Sequence, residues 1–152
     1  MSQGFGTTPH GSAPDGSLDV WFTDPPGLFV VMRLGTRLTV SSAEWLATHV
    51  YRAMDARYPG KSFYFFHDWG AALGYETAAR TRMNKWAAAV GRDRINHVGL
   101  IVSPQAPTLV RMGASMATLA MSLLGVSARV YDNRTQALAA HPIAPLAEPP
   151  TI

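Results

Sequence analysis

The chain has 152 residues, of which 47% are hydrophobic, and a net charge of +3. That length suits one domain with tails, and the apolar fraction suffices for a packed core. The absence of cysteine excludes disulfides, thiolate metal sites and cysteine nucleophiles, and the dispersed basic residues do not make a nucleic-acid footprint.

Residues 1–17 are rich in Gly, Ser, Thr and Pro, with Phe5 as the sizeable apolar group. This composition predicts a disordered tail. It also lacks the basic start and apolar run of a secretory signal, so a cytoplasmic location is expected. Leu18 to Thr23 reads as a strand, and Asp24-Pro25-Pro26-Gly27 as a turn. Leu28 to Leu34 is a second strand, paired antiparallel with the first. Ser41-Ser42-Ala43-Glu44 has the form of a capping box, with Val40 and Trp45 at staple positions. The helix it opens carries Leu46, Val50, Ala53 and Met54 on one stripe and must stop before Pro59-Gly60.

Ser62 to Trp69 is a third strand, apolar on both faces as a buried parallel strand would be. Thr77 to Val90 is the second helix, closed by Gly91. Arg80, Arg82, Lys85, Arg92 and Arg94 cluster here, offset by Glu76 and Asp93, and read as a solvated helix face. Ile95 to Val102 is a fourth strand. Thr108 to Leu124 is the third helix, Ala128 to Tyr131 a fifth strand and Thr135 to Ala140 a closing helix. Pro142 to Ile152 contains four prolines and reads as an extended, disordered tail.

The alternation predicts an α/β fold: a mixed, mostly parallel five-stranded sheet over residues 18–141, with an N-terminal antiparallel hairpin and right-handed helical crossovers. If successive strands are neighbours, every crossover lies on one side. The other face, though apolar, then needs a covering N-terminal segment or an interface.

Ile95 to Leu124 carries Arg111 as its one fixed charge. Gly113, Ser115, Thr118, Ser122, Gly125 and Ser127 dilute the run from Met112 to Ala128 below a typical membrane span. The helix has no polar face and must be covered. Gly113, Ala117 and Met121 share one side. Ala114, Thr118 and Ser122 form a neighbouring small-residue strip, and Met112 and Met116 offer adaptable apolar contact.

Ligands of α/β sheets gather beyond the carboxyl ends of the strands. That rim holds Asp68, Trp69 and Gly70, then Ser103, Pro104 and Gln105, then Asp132 and Asn133. Asp68 and Ser103 are expected to lie close. A Ser-His-Asp site is disfavoured, because His67 and Asp68 alternate across a strand and Ser103 lacks a G-x-S-x-G context. His49, His67, His97 and His141 show no metal-ligand spacing. There is no P-loop, and Gly4 and Gly6 follow no strand, so neither nucleotide motif is present.

Several segments together resemble the STAS domain, the anti-sigma-factor-antagonist-like (sporulation stage II protein AA-like) family. Leu28 to Leu38 is similar to its opening strand and glycine turn, and Ser41 to Glu44 to the entry of its first helix. Val98 to Val110 is similar to its fourth strand, loop and next helix. Ala128 to Leu138 is similar to its last strand and final helix. The resemblance implies a non-enzymatic bacterial regulatory domain acting by protein–protein contact, without a cofactor or metal.

In that family an Asp after the third strand is followed by a phosphorylatable Ser or Thr. Here Asp68 is followed by Trp69 and Gly70, which cannot take a phosphate. Partner binding without the usual phospho-switch is therefore expected, through Asp68, Trp69, Gly70, Ser103, Met112 and Met116, with Trp69 as an aromatic anchor. A homodimer is an alternative partner, and a small apolar ligand or lipid, held in an apolar pocket beneath the rim, is the alternative function.

Overall fold

The computed structural model describes Phe5 and residues 8–152. The N-terminal hairpin forms where the Pro-Pro-Gly turn places it, with β2 (Leu18–Asp24) antiparallel to β3 (Gly27–Met32). Gly27 is needed for close approach rather than for a left-handed φ: a Cβ there would press into Thr23 Oγ1 and the Tyr64 carbonyl.

The first helix is capped two residues earlier than expected. Thr39, not Ser41, is the cap: its hydroxyl accepts from the Ser42 amide at 3.0 Å, and the Ser42 hydroxyl accepts from the Thr39 amide at 3.1 Å. A serine thus takes the role expected of Glu44, which pairs instead with Arg82 across the helix layer. The helix runs as α1 (Val40–Trp45), a π-helical stretch (Leu46–Val50) and α2 (Tyr51–Arg57), ahead of Pro59.

β5 (Phe63–Asp68), α3 (Thr77–Val90), β7 (Ile95–Ile101), α4 (Thr108–Leu123), β8 (Ala128–Tyr131) and α5 (Arg134–Ala140) follow in the expected order. Strands β3, β5, β7 and β8 are parallel neighbours. A small parallel pair, β4 (Arg37–Leu38) with β6 (Gly74–Tyr75), stands apart from the main sheet. Neither strand was legible beforehand, since two residues carry no periodicity.

The main sheet has seven strands rather than five, and the extra two correct the reading of both tails. β1 (Gly11–Ser12) and β9 (Ala144–Pro145) each pair antiparallel with β2. Their cause lies in β2, not in their own composition. An edge strand presents unpaired amides and carbonyls. Here the His10 amide donates to the Val20 carbonyl, the Leu146 amide to the Phe22 carbonyl, and the Phe22 amide to the His10 ring, each within 2.9 Å. Pro145 is tolerated because β9 lies at an edge. Residues 1–4, 6 and 7 of the expected N-terminal tail lie outside the described residues.

Two cores result. On one face, helices α1 to α4 cover Leu18, Val20, Phe22, Leu28, Val30, Phe63, Phe65, Val98 and Leu100. On the other, Trp21, Phe29, Phe66, Ile101 and Tyr131 are covered by Phe5, Ala137 of α5 and Ile143. Phe5 stacks on Phe29 with centroids 4.2 Å apart. The face left bare by one-sided crossovers is thus closed by the chain's own two ends.

The small-residue side of α4 packs inward, with Val110, Gly113, Ala114, Ala117 and Met121 buried. The Tyr75 ring lies over Gly113, in the space a Cβ would occupy. Alanine normally favours a helix over glycine by about 1 kcal/mol. Forcing a methyl into packed space costs about 1–3 kcal/mol. Gly113→Ala is therefore expected to lower the melting temperature, and the loss should shrink in a Tyr75→Ala background. An equal loss in both backgrounds would refute the contact.

Candidate functional site

Beyond the carboxyl ends of β5 and β7, the expected rim residues divide among different surroundings. Asp68 is 8% exposed and faces the second core. One of its oxygens accepts from Arg134 of α5, and the other from the Gly70 amide at 2.8 Å. Arg134 also lies over the Phe29 ring and donates to the Phe5 carbonyl at 3.4 Å. Asp68 thus fastens α5 and the N-terminal segment to the sheet. That role was not foreseen, because nothing in sequence spacing links residues 68 and 134.

Trp69 corrects the expectation of an exposed anchor, since only 5% of it is accessible. Its amide donates to the Ile101 carbonyl at 2.8 Å, which continues the β5–β7 ladder by one residue. The indole packs edge-on against His67 with centroids 5.4 Å apart and beside Tyr75 at 5.8 Å. Gly70 is exposed. Ser103 accepts from the Gln105 amide at 3.1 Å and donates to its side chain at 3.0 Å, closing the loop before α4. It opens onto a surface pocket of ≈230 Å³ with Arg111, Ser115 and Asp132. Asp68 and Ser103 are therefore not brought together: one turns to the second core, the other toward α4.

His67 and His97 do not converge either. His67 lies on the helix-covered face beside Phe65, Trp69 and Leu100. His97 lies on the opposite face, bonded to Ser127 at 2.8 Å and Tyr131 at 2.9 Å, with the His141 ring 4.2 Å away. Burial lowers the pKa of His67 to about 3. Burial, with the nearby His141 and Arg129, lowers that of His97 to about 4. Burial also raises the Tyr131 phenol above its ordinary value, against the opposing pull of Arg129. Among the described residues, no three His, Asp or Glu side chains gather as a metal site.

Three of the five cations in the basic cluster are engaged locally. Arg82 pairs with Glu44, Arg94 with Asp55 at 2.8 Å, and Arg80 lies over the Tyr75 ring with its guanidinium 3.4 Å from Met116 Sδ.

Met112 and Met116, by contrast, stand where a partner can reach them, 55% and 50% exposed. They belong to a longer row. Leu109, Leu119 and Leu123 are also exposed, and Leu124 closes its far end. The spacing 109, 112, 116, 119, 123 alternates three and four, which is the a/d pattern of a helix that packs along another helix. The three leucines were missed because the inward face had drawn attention to small residues. The alternation was available in the sequence.

A crystal structure from Shewanella loihica PV-4 is similar in fold. It is an uncharacterised protein of the DUF3478 family with a SpoIIAA-like fold, and the superposition gives a TM-score of 0.54 at 12% identity, covering 81% of this chain and 90% of that one. The fold is SpoIIAA-like. At that identity the likeness establishes architecture alone. No protein-family model matches the sequence, and the curated proteins contain no match to it. The STAS resemblance of the strand and helix edges is thus borne out as a fold. In this SpoIIAA-like frame the rim loop after β5 is closed by Asp68 and Trp69, and exposed apolar surface is concentrated on the outer side of α4. No helix among the described residues is long and apolar enough to cross a membrane.

Proposed function

We propose that this chain is a non-enzymatic regulatory domain of the bacterial cytoplasm that acts by protein–protein contact through the outer face of α4. The observation that carries the reading is the exposed row Leu109, Met112, Met116, Leu119 and Leu123. A contiguous apolar stripe of this kind is costly to leave in water and marks an interaction surface. Its three-four spacing suits an amphipathic helix laid alongside, and its methionines suit a surface that adapts to its partner. Trp69 and Asp68 are internal to the fold, so they support the surface rather than touch the partner. The contact needs no phosphate at the rim, in keeping with the missing hydroxyl after Asp68.

The test is a pair of charge substitutions, Met116→Glu and Leu119→Glu. Both positions are exposed, so stability should change by no more than about 0.5 kcal/mol. Quantitative capture from the source cells should show at least a tenfold loss of any protein bound by the wild type. Unchanged capture by both folded variants would overturn the assignment. The a/d spacing also fits a second copy of the chain. Sedimentation of the purified protein separates that case: a dimer dissolved by the same substitutions would identify self-association.

A further inference from the structure

Helices α3 and α4 carry charge of one sign. α3 bears Arg80, Arg82 and Lys85, α4 bears Arg111, and neither helix holds an Asp or Glu. The chain has no carboxylate between Asp93 and Asp132, a stretch that contains all of β7 and α4. A one-signed border on an apolar surface selects its partner by charge.

Three cations frame the exposed row on α4. Arg80 reaches over from α3, with its guanidinium 3.4 Å from Met116 Sδ at the middle of the row. Arg111 stands on the other side. It lines a groove with Met112 and Met116, and it also lines the rim pocket that holds Val130 and Asp132. Arg92 is exposed and lies against Gly125, just past Leu123 and Leu124. None of the three forms an ion pair among the described residues. Arg80 rests on the Tyr75 ring, a contact that leaves its charge uncancelled. Asp93 adjoins Arg92 in sequence and Asp132 shares the rim pocket with Arg111, yet neither pairs with its neighbour. Glu76, just before α3, is turned to the Val40 amide at 3.3 Å.

This frame restricts the occupant. The row from Leu109 to Leu123 spans about 21 Å at the helical rise, so a helix of about four turns covers it. A second copy of the chain fits poorly. Paired antiparallel, the α4 helices bring Arg111 of one copy to the Arg92 end of the other. Paired parallel, each arginine meets its own counterpart. Like charges facing across an interface oppose association. A bilayer fits poorly too. Helices that lie on membranes present a broad apolar face with Trp or Phe. The row here has the narrow width of a helix seam and holds no aromatic residue.

We infer, resting on the proposed α4 contact, that the partner is an amphipathic helix of another protein, with apolar residues in its seam and Asp or Glu at the flanking positions. Its carboxylates pair with Arg80 and Arg111 on the two sides of the row and with Arg92 at the far end. The apolar seam supplies the contact, and the acidic flanks decide which helix is accepted.

Two labelled synthetic peptides of about four turns provide the test. Both carry leucine at the a and d positions; one has glutamate at e and g, the other lysine. Fluorescence anisotropy against the full chain at low salt should show the glutamate peptide bound about tenfold more tightly, or better. Raising the salt should shrink that difference. Arg92→Glu combined with Arg111→Glu, both at exposed positions, should cancel the preference while circular dichroism stays that of the wild type. A lysine peptide bound as tightly as the glutamate one would overturn the acidic partner. If Met116→Glu then released both peptides alike, the α4 contact itself would stand. Binding of neither peptide would also overturn the acidic partner, and capture from cells would judge the contact separately. Two further results would overturn it: attachment to phosphatidylglycerol vesicles with no preference between the peptides, which points to a membrane surface, and a dimer dissolved by Met116→Glu, which makes the occupant a second copy.

Discussion

Trp69→Ala is expected to destabilise the fold by about 3–5 kcal/mol, the range for removing a large aromatic from a core. A domain of this size has about 5–15 kcal/mol to lose. The indole is buried against His67 and Tyr75, and it lines a cavity under α4. Its removal therefore enlarges an existing void as well as deleting contacts. Urea denaturation with a two-state fit measures the loss. A surface anchor would behave differently: its truncation leaves stability within about 0.5 kcal/mol and affects binding alone. Trp69→Ala should thus weaken binding only as far as it lowers the folded fraction, whereas Met116→Glu should lose binding with stability unchanged. Equal stability of Trp69→Ala and wild type would show that the indole is free of the core.

The contrast between those two residues shows what the sequence could and could not reveal. The sheet order was legible because Phe63 to Asp68 and Ile95 to Ile101 are apolar on both faces, and helix-length segments separate them. The need to cover the second face followed from that order. Which segment covers it did not, because Phe5 sits in a polar stretch and Ile143 among prolines. The tails order because β2 offers an open edge, a property of the assembled sheet and not of either tail. The loop after β5 is legible by position and Gly70 is exposed there, but Asp68 and Trp69 turn inward. The Trp69 amide bonds the Ile101 carbonyl, which continues the β5–β7 ladder by one residue and keeps the indole on the face of Phe65 and His67. Asp68 depends on Arg134, sixty-six residues away. The exposure of Met112 and Met116 was legible because helical spacing sets them against the buried Gly113, Ala114 and Ala117. Local periodicity decides such a helix face, while long-range pairing decides a loop.

Acid should unfold this chain earlier than its carboxylates alone would require. His67 and His97 are buried and neutral, with pKa values lowered by burial to about 3 and about 4. In the unfolded chain both return to about 6.5. Between these limits the unfolded state binds protons that the folded state refuses, so stability falls as pH falls below about 6.5. The His97 contribution is complete near pH 4 and that of His67 near pH 3. At 1.36 kcal/mol per pKa unit, each costs on the order of 3–5 kcal/mol when complete. Half of that already matters against a total of about 5–15 kcal/mol. His10 acts in the same direction, its pKa lowered by burial against a hydrogen bond with the Leu146 backbone. Asp15 adds a separate loss at lower pH. Burial pushes its carboxyl up, but hydrogen bonds from Ser17 and Thr39 hold it below the ordinary value, so it protonates only after the histidine penalty has grown. Circular dichroism from pH 7 to 3 should show loss of structure already under way above pH 4. His67→Phe removes the larger penalty while keeping an aromatic ring in the core, and should move the acid midpoint to lower pH. A midpoint unchanged by that substitution would mean that His67 is hydrated in the folded chain and titrates there as it does in water.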